Sequence, residues 1–336
     1  MTDKPRVILS GFADEATSDK NAVEQFAVYA ALGLQYYSIR FINVGEGVKN
    51  VMKLTTPEIQ EIRRLQDEYG INVSSIGSPI GKIKLKDVND GTSNSYIPFE
   101  HYLKNDVQKA CELAHAFETK LIRGFSFYHP KGDAPTKYVS QAADHVGQIT
   151  EICHRHDLTF GLEVEANLVG QNGVILAEIY KQVNHPALTL IFDGANLVMQ
   201  GYNESETAEQ YRAMKPGLGW FHVKDYVAQT RKKGGHVDEE SQAEFVPCDL
   251  GVSGYEASFR DFAAILPQVE SRLKQRGIPG VFVDLEPHLK GGGQFGGFSG
   301  PDGTGVALRS LCRVLDRVGI DYHLRDFDDI RATRGF

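Results

Sequence analysis

Short apolar segments rich in β-branched and aromatic residues alternate with helix-period segments along the whole chain, and this alternation most constrains its fold. Eight of these segments have the length and composition of strands that are buried on both faces. They begin at Arg6, Tyr36, Val73, Lys120, Thr159, Leu188, Gly219 and Gly280. Alternating units imply parallel strands with helical crossovers, and the eightfold count favours a closed (β/α)8 barrel over an open doubly wound sheet.

The chain is long enough for one such barrel and little else. It has 336 residues, and a barrel of this kind needs roughly 250. We therefore predict a single domain over residues 1–336, with a long loop at about 226–254, a glycine-rich loop at 291–305 and a C-terminal tail at 320–336. The loop at 226–254 exceeds the usual connection of about two to six residues, and loops of that length usually cover a site.

Two helix boundaries have clear sequence signals. Ser18 is a candidate cap for a first helix that would bury Val23 and end at Gly33. Thr56 and Pro57 would open a second helix that closes at Gly70.

Charge and cysteine usage exclude several classes of protein. The net charge of −8 opposes broad binding to nucleic acid. No segment approaches the roughly 20 apolar residues of a membrane span, and the N-terminal apolar run is too short for a signal peptide. The four cysteines form no CxxC pair, so neither a disulfide framework nor a zinc knuckle is indicated. We expect a cytoplasmic protein that binds a small molecule, and neither nucleic acid nor membrane.

Four strand-like segments each end in a side chain that commonly binds metal ions. They carry Glu163, Asp193, His222 and Glu286, and in (β/α)8 barrels the chemistry lies at the C-terminal ends of the strands. Three carboxylates and an imidazole suit a divalent ion, Mn²⁺ first, with Co²⁺, Mg²⁺ or Zn²⁺ as alternatives. Taken singly, Asp193 could instead cap a helix, and His222 could be a core histidine.

Residues two apart on a strand share a face, which adds neighbours to this group. Glu165 points the same way as Glu163 and would contact a substrate or pair with a basic residue of a neighbouring strand. By the same parity Lys224 accompanies His222, while Asp284 and His288 accompany Glu286. Other candidate pocket residues follow the predicted strands: Arg40, Ser78, Lys82, His129 and Lys290. Arg40 and Lys82 could be surface charges, and His129 could only shape the loop before Pro130.

The glycine-rich loop directly follows the Glu286 strand. Exposed backbone amides before a helix attract anions, so a phosphate cradle is one interpretation. Its Gln294, Phe295 and Phe298 equally suit contact with a sugar ring, and the loop could be a lid or an interface for a partner chain.

With these strands and ligands in place, the sequence resembles the xylose isomerase-like barrel superfamily of sugar phosphate isomerases and epimerases, over nearly its whole length. The marks are "LEVEAN", "LIFDGAN", "FHVKD" and "VDLEPH", which give glutamate, aspartate, histidine and glutamate in the family order. In xylose isomerases the first ligand is followed by a catalytic lysine and an asparagine. Here Glu165 replaces the lysine, which argues against xylose isomerase activity itself, and Asn167 matches the asparagine as a substrate contact.

The resemblance implies a metal-dependent sugar isomerase or epimerase that removes a proton next to a carbonyl through an enediolate. In ketose 3-epimerases the first and last ligand glutamates transfer the protons, which would make Glu163 and Glu286 catalytic, with Glu165 and His129 as further catalytic candidates. Lysine and histidine contacts with the substrate would come from Lys82, Lys224, His288 and Lys290, beside Arg40.

Other functions remain open at this stage. One alternative is a lyase, either the large subunit of a C-glycoside deglycosidase acting on 3-keto-glycosides or a keto-polyol dehydratase. A second is a non-catalytic sugar-binding barrel. An endonuclease IV-like enzyme would need more ligand histidines and a basic face, neither of which the sequence has. We expect a homo-oligomer, or a hetero-oligomer with a small partner subunit as in the deglycosidases.

Overall fold

The eight predicted strand segments form a nearly closed parallel barrel. A computed structural model describes residues 4–227, 233–234, 236–237, 244–290 and 297–334. Its strands are β1 (Ile8–Gly11), β2 (Tyr36–Ile39), β3 (Phe41–Ile42), β4 (Lys49–Asn50), β5 (Asn72–Ile80), β6 (Leu121–Gly124), β7 (Thr159–Glu163), β8 (Leu188–Asp193), β9 (Leu218–Val223), β10 (Asp225–Tyr226), β11 (Phe245–Val246) and β12 (Phe282–Leu285). Eight of them pair in parallel in the order β1-β12-β9-β8-β7-β6-β5-β2. A parallel bridge between Phe12 and Ser38 brings β1 and β2 together, and the predicted barrel is confirmed.

Helices on the outside connect the strands. The α-helices are α1 (Ala22–Ala31), α2 (Thr56–Tyr69), α3 (Phe99–Tyr102), α4 (Gln108–Ala116), α5 (Val139–Arg155), α6 (Gly173–Val183), α7 (Ala195–Val198), α8 (Glu204–Met214), α9 (Tyr255–Ala263), α10 (Leu266–Lys274), α11 (Gly300–Val318) and α12 (Phe327–Arg334). A π-helical turn, Leu103–Val107, joins α3 to α4. None of these helices is long and apolar enough to cross a membrane, within the residues that the structure describes.

Strands covered on both faces explain why the apolar runs are nearly continuous. Every residue of β7, β8 and β9 is buried. Inside the barrel, the indole of Trp220 lies where a side chain at Gly161 would be, since a Cβ added at Gly161 would be 2.4 Å from the ring. The glycine therefore makes room for the largest side chain of the core.

The helix signals were right for α2 and wrong in detail for α1. Thr55 and Glu58 form a capping box at the start of α2, and Gly70 ends it with a positive φ of 62°. The α1 helix is capped by Asn21, whose side chain accepts a hydrogen bond from the Glu24 amide, and not by Ser18. Val23 is 46% exposed, so it faces solvent and not the core.

Three regions that the sequence marked as additions are partly described. The insertion at 226–254 begins in β10, which pairs with β11 in an antiparallel ribbon, while 228–232, 235 and 238–243 lie outside the described residues. In the glycine-rich region, 291–296 lie outside them as well, and α11 already begins at Gly300. The C-terminal tail packs on the barrel, because Arg325 donates hydrogen bonds to the carbonyls of Tyr69, at 2.7 Å, and Gly70.

Candidate metal centre

The barrel brings the four predicted metal ligands together at the C-terminal ends of its strands. Glu163 and Asp193 are the last residues of β7 and β8, His222 lies in β9, and Glu286 directly follows β12. Neighbouring strands set their relative positions, since Asp193 and His222 are partners in the β8–β9 register. One ligand atom from each of the four lies within 4.8 Å of all the others. All four side chains are buried.

Glu163 is held from three sides. His222 Nδ1 lies 3.1 Å from Glu163 Oε1, the Arg123 guanidinium lies 3.3 Å from Oε2, and the Asn196 amide donates to Oε1 at 3.4 Å. Burial acts to raise the pKa of Glu163, but His222 and Arg123 together outweigh it and lower that pKa to about 2. Burial acts to lower the pKa of His222, but Glu163, Glu286 and Asp284 together outweigh it and raise that pKa. Glu163 is therefore ionised in any physiological range.

Lys224 joins the other two carboxylates. Its Nζ lies 2.9 Å from Asp193 Oδ2 and 2.8 Å from Glu286 Oε2. Burial raises the pKa of Asp193 to about 7 in spite of this contact. Burial would also raise the pKa of Glu286, but Lys224 and Arg40 hold it well below its usual range. The two carboxylates therefore differ in protonation near neutral pH.

These four residues lie close enough together to hold one divalent cation. Three carboxylates and one imidazole form a hard, mostly oxygen donor set. Both ring nitrogens of His222 lack a hydrogen bond of good geometry to any residue that the structure describes, although the ring is fully buried. Buried polar atoms are normally satisfied, and coordination to a cation would satisfy one of these nitrogens.

A second buried group shares Glu286 with the first. Arg40 donates a hydrogen bond to Glu286 Oε1, contacts Asp14 Oδ2 at 3.1 Å, and lies 3.5 Å from Glu15 Oε1. Its guanidinium is 4.3 Å from the centre of the Phe12 ring. Arg40 thus connects the acidic turn after β1 to the end of β12.

His288 completes this second group. Its Nδ1 lies 2.5 Å from Glu15 Oε1, and its backbone amide donates to Glu15 Oε2 at 2.7 Å. The residue has a φ of +52°, a strained value for a non-glycine residue. Burial would raise the pKa of Glu15, but His288 and Arg40 together outweigh it and lower that pKa. One backbone hydrogen bond and one close ring contact with the same carboxylate therefore hold His288 beside Glu286.

A narrow cavity of ≈ 60 Å³ lies beside Glu286. Predicted residues Lys82, Glu165, Lys224 and Arg40 line it together with Arg123 and Phe125. Lys82 Nζ is 3.4 Å from Glu165 Oε2. Glu165 thus faces the pocket, as its spacing from Glu163 predicts, and its basic partner Lys82 follows β5, which is separated from β7 by β6.

His288, predicted to contact the substrate, lies in the second group and does not line this cavity, and three further predicted site residues lie away from both the cavity and the two groups. Asn167, with a φ of +65°, exchanges hydrogen bonds of 2.9 and 3.0 Å with the backbone of Val237 and so anchors the long insertion. His129 lines a separate cavity of ≈ 350 Å³, and its Nδ1 lies 3.1 Å from the Pro130 carbonyl. Lys290 pairs with Asp302 at 2.6 Å on the surface, with its side chain 43% exposed. Their local partners, and not the site, account for their positions.

Ser78 also has a structural partner. Its hydroxyl donates to the Arg123 carbonyl at 2.5 Å, which ties β5 to β6.

Sequence reasoning missed four residues that contact the site: Asp14, Glu15, Arg123 and Asn196. Asp14 and Glu15 follow β1 in "GFADEA", so the rule that strand ends carry the chemistry could have found them. Arg123 is a lone charge within a buried strand, which is a signal for an inward ionic role.

With the fold and site geometry established, comparisons with known proteins define the family. The model of the family described as xylose isomerase-like TIM barrel matches residues 26–311, and the chain belongs to this family. No curated protein sequence matches the chain.

Solved structures show the same fold at low sequence identity. A xylose isomerase-like TIM barrel protein from Mycobacterium smegmatis in complex with magnesium has a TM-score of 0.61 and 17% identity, covering 94% of this chain and 96% of that one. D-allulose 3-epimerase from Methylomonas sp. in complex with D-allulose has a TM-score of 0.58 and 14% identity, covering 93% and 98%. The probable 3-DHS dehydratase AsbF from Bacillus anthracis, involved in petrobactin synthesis, has a TM-score of 0.58 and 14% identity, covering 91% and 98%.

Proposed function

We propose that this protein is a divalent-metal-dependent enzyme that isomerises or epimerises a small sugar or keto-sugar. One observation carries the proposal: the ligand atoms of Glu163, Asp193, His222 and Glu286 lie within 4.8 Å of one another, buried at the catalytic end of the barrel. Two relatives of the same fold support it, because one is in complex with magnesium and another is an epimerase in complex with its sugar.

The four ligands have different roles in this proposal. Glu163, Asp193 and His222 do not line the cavity, so they hold the cation from behind. Glu286 lines the cavity and also faces the cluster. When bound, the divalent ion polarises a carbonyl and stabilises the negative charge that develops next to it. Mn²⁺ remains our first candidate, with Co²⁺, Mg²⁺ and Zn²⁺ as alternatives.

Proton transfer falls to the carboxylates that can reach the substrate. Glu286 and Glu165 both line the cavity, so one can remove the proton next to the carbonyl while the other returns a proton on a different side. Arg40 and Lys224 keep Glu286 ionised and fix its direction. This assigns to Glu165 the second transfer, which family resemblance gave to Glu163.

A second reaction outcome has a specific observation in its favour. The ammonium groups of Lys82 and Lys224 line the same cavity as Glu286, and an ammonium can protonate an oxygen that leaves from the carbon β to the carbonyl. Elimination would then replace return of the proton, as in a dehydratase or in the cleavage of a 3-keto-glycoside. One relative of the same fold is a probable dehydratase.

The test is an NMR assay in D₂O with metal-stripped protein, before and after Mn²⁺ is restored. The panel contains ketoses, keto-polyols and 3-keto-glycosides. Metal-dependent deuterium uptake with interconversion of sugars supports the isomerase or epimerase; release of water or an aglycone supports the elimination. Binding of sugars without any metal-dependent exchange would overturn both and leave a non-catalytic sugar-binding barrel.

Matched variants separate the catalytic roles. Glu286→Gln and Glu165→Gln should each lower kcat by about 100-fold or more, the usual contribution of a general base. Glu112→Gln is the control, because Glu112 is an exposed residue of α4, whereas the four residues of the cluster are buried. If Glu165→Gln retained full turnover, the second transfer would have to be reassigned.

A further inference from the structure

The charges that line the cavity beside Glu286 are unequal. Among the described residues, four side chains there are cationic and two are carboxylates. The cations are Arg40, Lys82, Arg123 and Lys224, and the carboxylates are Glu165 and Glu286. Three of these cations also pair with carboxylates behind the cavity wall: Arg40 with Asp14, Arg123 with Glu163 and Lys224 with Asp193. The four therefore differ in whether they retain a hydrogen-bond donor for a substrate.

Two of the four cations already have full sets of acidic partners. Arg40 contacts Asp14, Glu15 and Glu286. Lys224 bridges Asp193 and Glu286, as described above. Neither needs a substrate for neutralisation.

Arg123 is different. It is buried, with 7% of its surface exposed. Its Nη1 lies 3.3 Å from Glu163 Oε2 and its Nη2 donates to the Gly77 carbonyl at 3.3 Å. Its Nε has no hydrogen-bond partner in the part of the chain that the structure describes. Guanidinium groups bind carboxylates and phosphates through paired N–H donors, so Arg123 retains binding capacity at the cavity wall.

Lys82 lies next to Arg123 on a shared aromatic ring. Its ammonium is 4.5 Å from the centre of the Phe125 ring, and the Arg123 guanidinium is 4.8 Å from the same centre. Two cations at one ring repel each other. Each has one carboxylate partner, since Glu165 lies 3.4 Å from Lys82 Nζ and Glu163 lies 3.3 Å from Arg123 Nη1. An anionic group placed between the two cations would accept hydrogen bonds from both.

We infer that the substrate carries an acidic group, a carboxylate or a phosphate, which Arg123 and Lys82 hold at the cavity wall. The inference rests on the proposed function, because it specifies the substrate class of that same site. The acidic group lies on the Phe125 side, and the reacting carbonyl faces Glu286 and Lys224. A sugar acid, a keto-sugar acid or a sugar phosphate carries such a group, and a neutral hexose does not.

Binding is the first readout, because it is independent of turnover. The probes are an aldonate, the matching alditol and the matching alditol phosphate, none of which has a carbonyl that could react. We expect calorimetric titration of metal-loaded protein to show at least about tenfold tighter binding of an acidic probe than of the alditol, the value of one charge-assisted hydrogen bond. The same titrations with metal-free protein separate binding to Arg123 and Lys82 from chelation of the metal.

Variants then locate the effect. Arg123→Gln and Lys82→Gln should each weaken binding of the acidic probe by about 10- to 100-fold and leave the alditol within about threefold. Arg123→Lys keeps the charge and should recover part of the loss. Arg63→Gln is the surface control, since Arg63 pairs with Glu118 on the outside of the barrel. Because Arg123 touches Glu163, metal content and thermal unfolding are measured for every variant; Lys82→Gln tests the subsite without touching a predicted metal ligand.

The outcomes separate this inference from the proposed function. Equal binding of the aldonate, the alditol phosphate and the alditol would overturn the inference. Unchanged aldonate binding in every variant would overturn it as well. If metal-dependent exchange occurs on neutral ketoses alone, the proposed function stands and the acidic substrate class is wrong. If acidic probes bind through Arg123 while no exchange occurs on any substrate, the subsite stands and the enzymatic function fails. A preference for the phosphate over the carboxylate probe identifies which acidic group is bound.

Discussion

Two buried groups of similar composition share Glu286, and their difference shows what makes a cluster of carboxylates able to bind a metal ion. The first contains Glu163, Asp193 and His222, and the second contains Glu15 and His288; in both, the potential ligand atoms lie within 4.8 Å. The ring nitrogens of His288 lack good hydrogen bonds just as those of His222 do. Residue type, burial and unsatisfied atoms therefore do not distinguish the two groups.

The permanent cation distinguishes them. Arg40 lies within the second group and contacts Glu286, Glu15 and Asp14 at once. A guanidinium is always charged and cannot leave without exposing three buried carboxylates. The first group contains Lys224, a flexible point charge that contacts only two carboxylates from the side. We therefore propose that the first group binds the cation and that the second has a structural, charge-neutralising role.

Removing Arg40 is the largest perturbation of this comparison. Arg40→Met should lower the free energy of unfolding by about 3–5 kcal/mol, because it leaves buried carboxylates without a counter-charge. Urea titration of metal-free protein, followed by circular dichroism, measures the loss. If the guanidinium is what excludes a metal ion from the second group, Mn²⁺ should recover part of the stability of Arg40→Met and raise its metal content above that of the wild type.

A matched surface variant controls for the loss of an arginine. Arg63→Met removes an exposed guanidinium that pairs with Glu118, and it should change the free energy of unfolding by no more than about 0.5 kcal/mol. An Arg40→Met protein as stable as Arg63→Met would show that the second group needs no permanent cation.

Removing a ligand from the first group comes next in size. His222→Asn should weaken binding of Mn²⁺ by about 100-fold or more, since second-shell partners of metal ligands alone contribute about 10- to 100-fold. Competition titration against a chelator gives the affinity, and mass spectrometry of the dialysed protein gives the stoichiometry. In the wild type the saturating metal should also raise the free energy of unfolding by about 2.7 kcal/mol at 100 times the dissociation constant. An unchanged affinity of His222→Asn for Mn²⁺ would show that the first group is not the metal site.

Protonation gives a third way to sharpen the comparison. Burial raises the pKa of Asp193 to about 7, so the folded protein holds a proton there that the unfolded chain loses near pH 4. The stability from this group is complete below about pH 4 and is lost as the pH rises through 7. Relative to Asp193→Asn, the metal-free wild type should thus lose about 1–3 kcal/mol of unfolding free energy between pH 4 and 7.

The second group should respond in the opposite direction. The pKa of Glu15 is lowered by His288 in spite of burial, so the stability from Glu15 is present above its ordinary pKa and is lost as the pH falls through the lowered value. Denaturant titrations of wild type, Asp193→Asn and Glu15→Gln at pH 3 to 8 measure both trends. Parallel curves for the two variants would contradict the difference between the groups.

The barrel and the first group could be predicted because both depend on local patterns. Strands buried on both faces must be short and apolar, and parallel strands bring their C-terminal ends to one side of the sheet. It follows that Glu163, Asp193, His222 and Glu286 could be placed together without coordinates. Glu165 could be placed by its two-residue spacing from Glu163.

The pairings within the second group could not be predicted, because they depend on how the barrel closes. Asp14 and Glu15 become partners of Arg40 and His288 only when β1 pairs with β12 and meets β2. The local sequence pattern does not give the distances between these strands. Likewise, Asn167 matches by its sequence position an asparagine that contacts the substrate. In the structure its side chain is instead hydrogen-bonded to Val237 of the long insertion. Specific ion pairs and loop anchors are long-range features that local periodicity does not encode.

The smallest expected effect comes from the histidine of the second group. His288→Asn should change the affinity for Mn²⁺ by less than about threefold and leave one metal ion per chain, because Arg40 already neutralises the carboxylates around it. The measurement is the same chelator competition as for His222→Asn, so the two histidines are compared in one experiment. A loss of affinity in His288→Asn as large as that in His222→Asn would show that both groups bind metal and that the guanidinium does not exclude it. Two metal ions per wild-type chain, with only one retained in His288→Asn, would show the same.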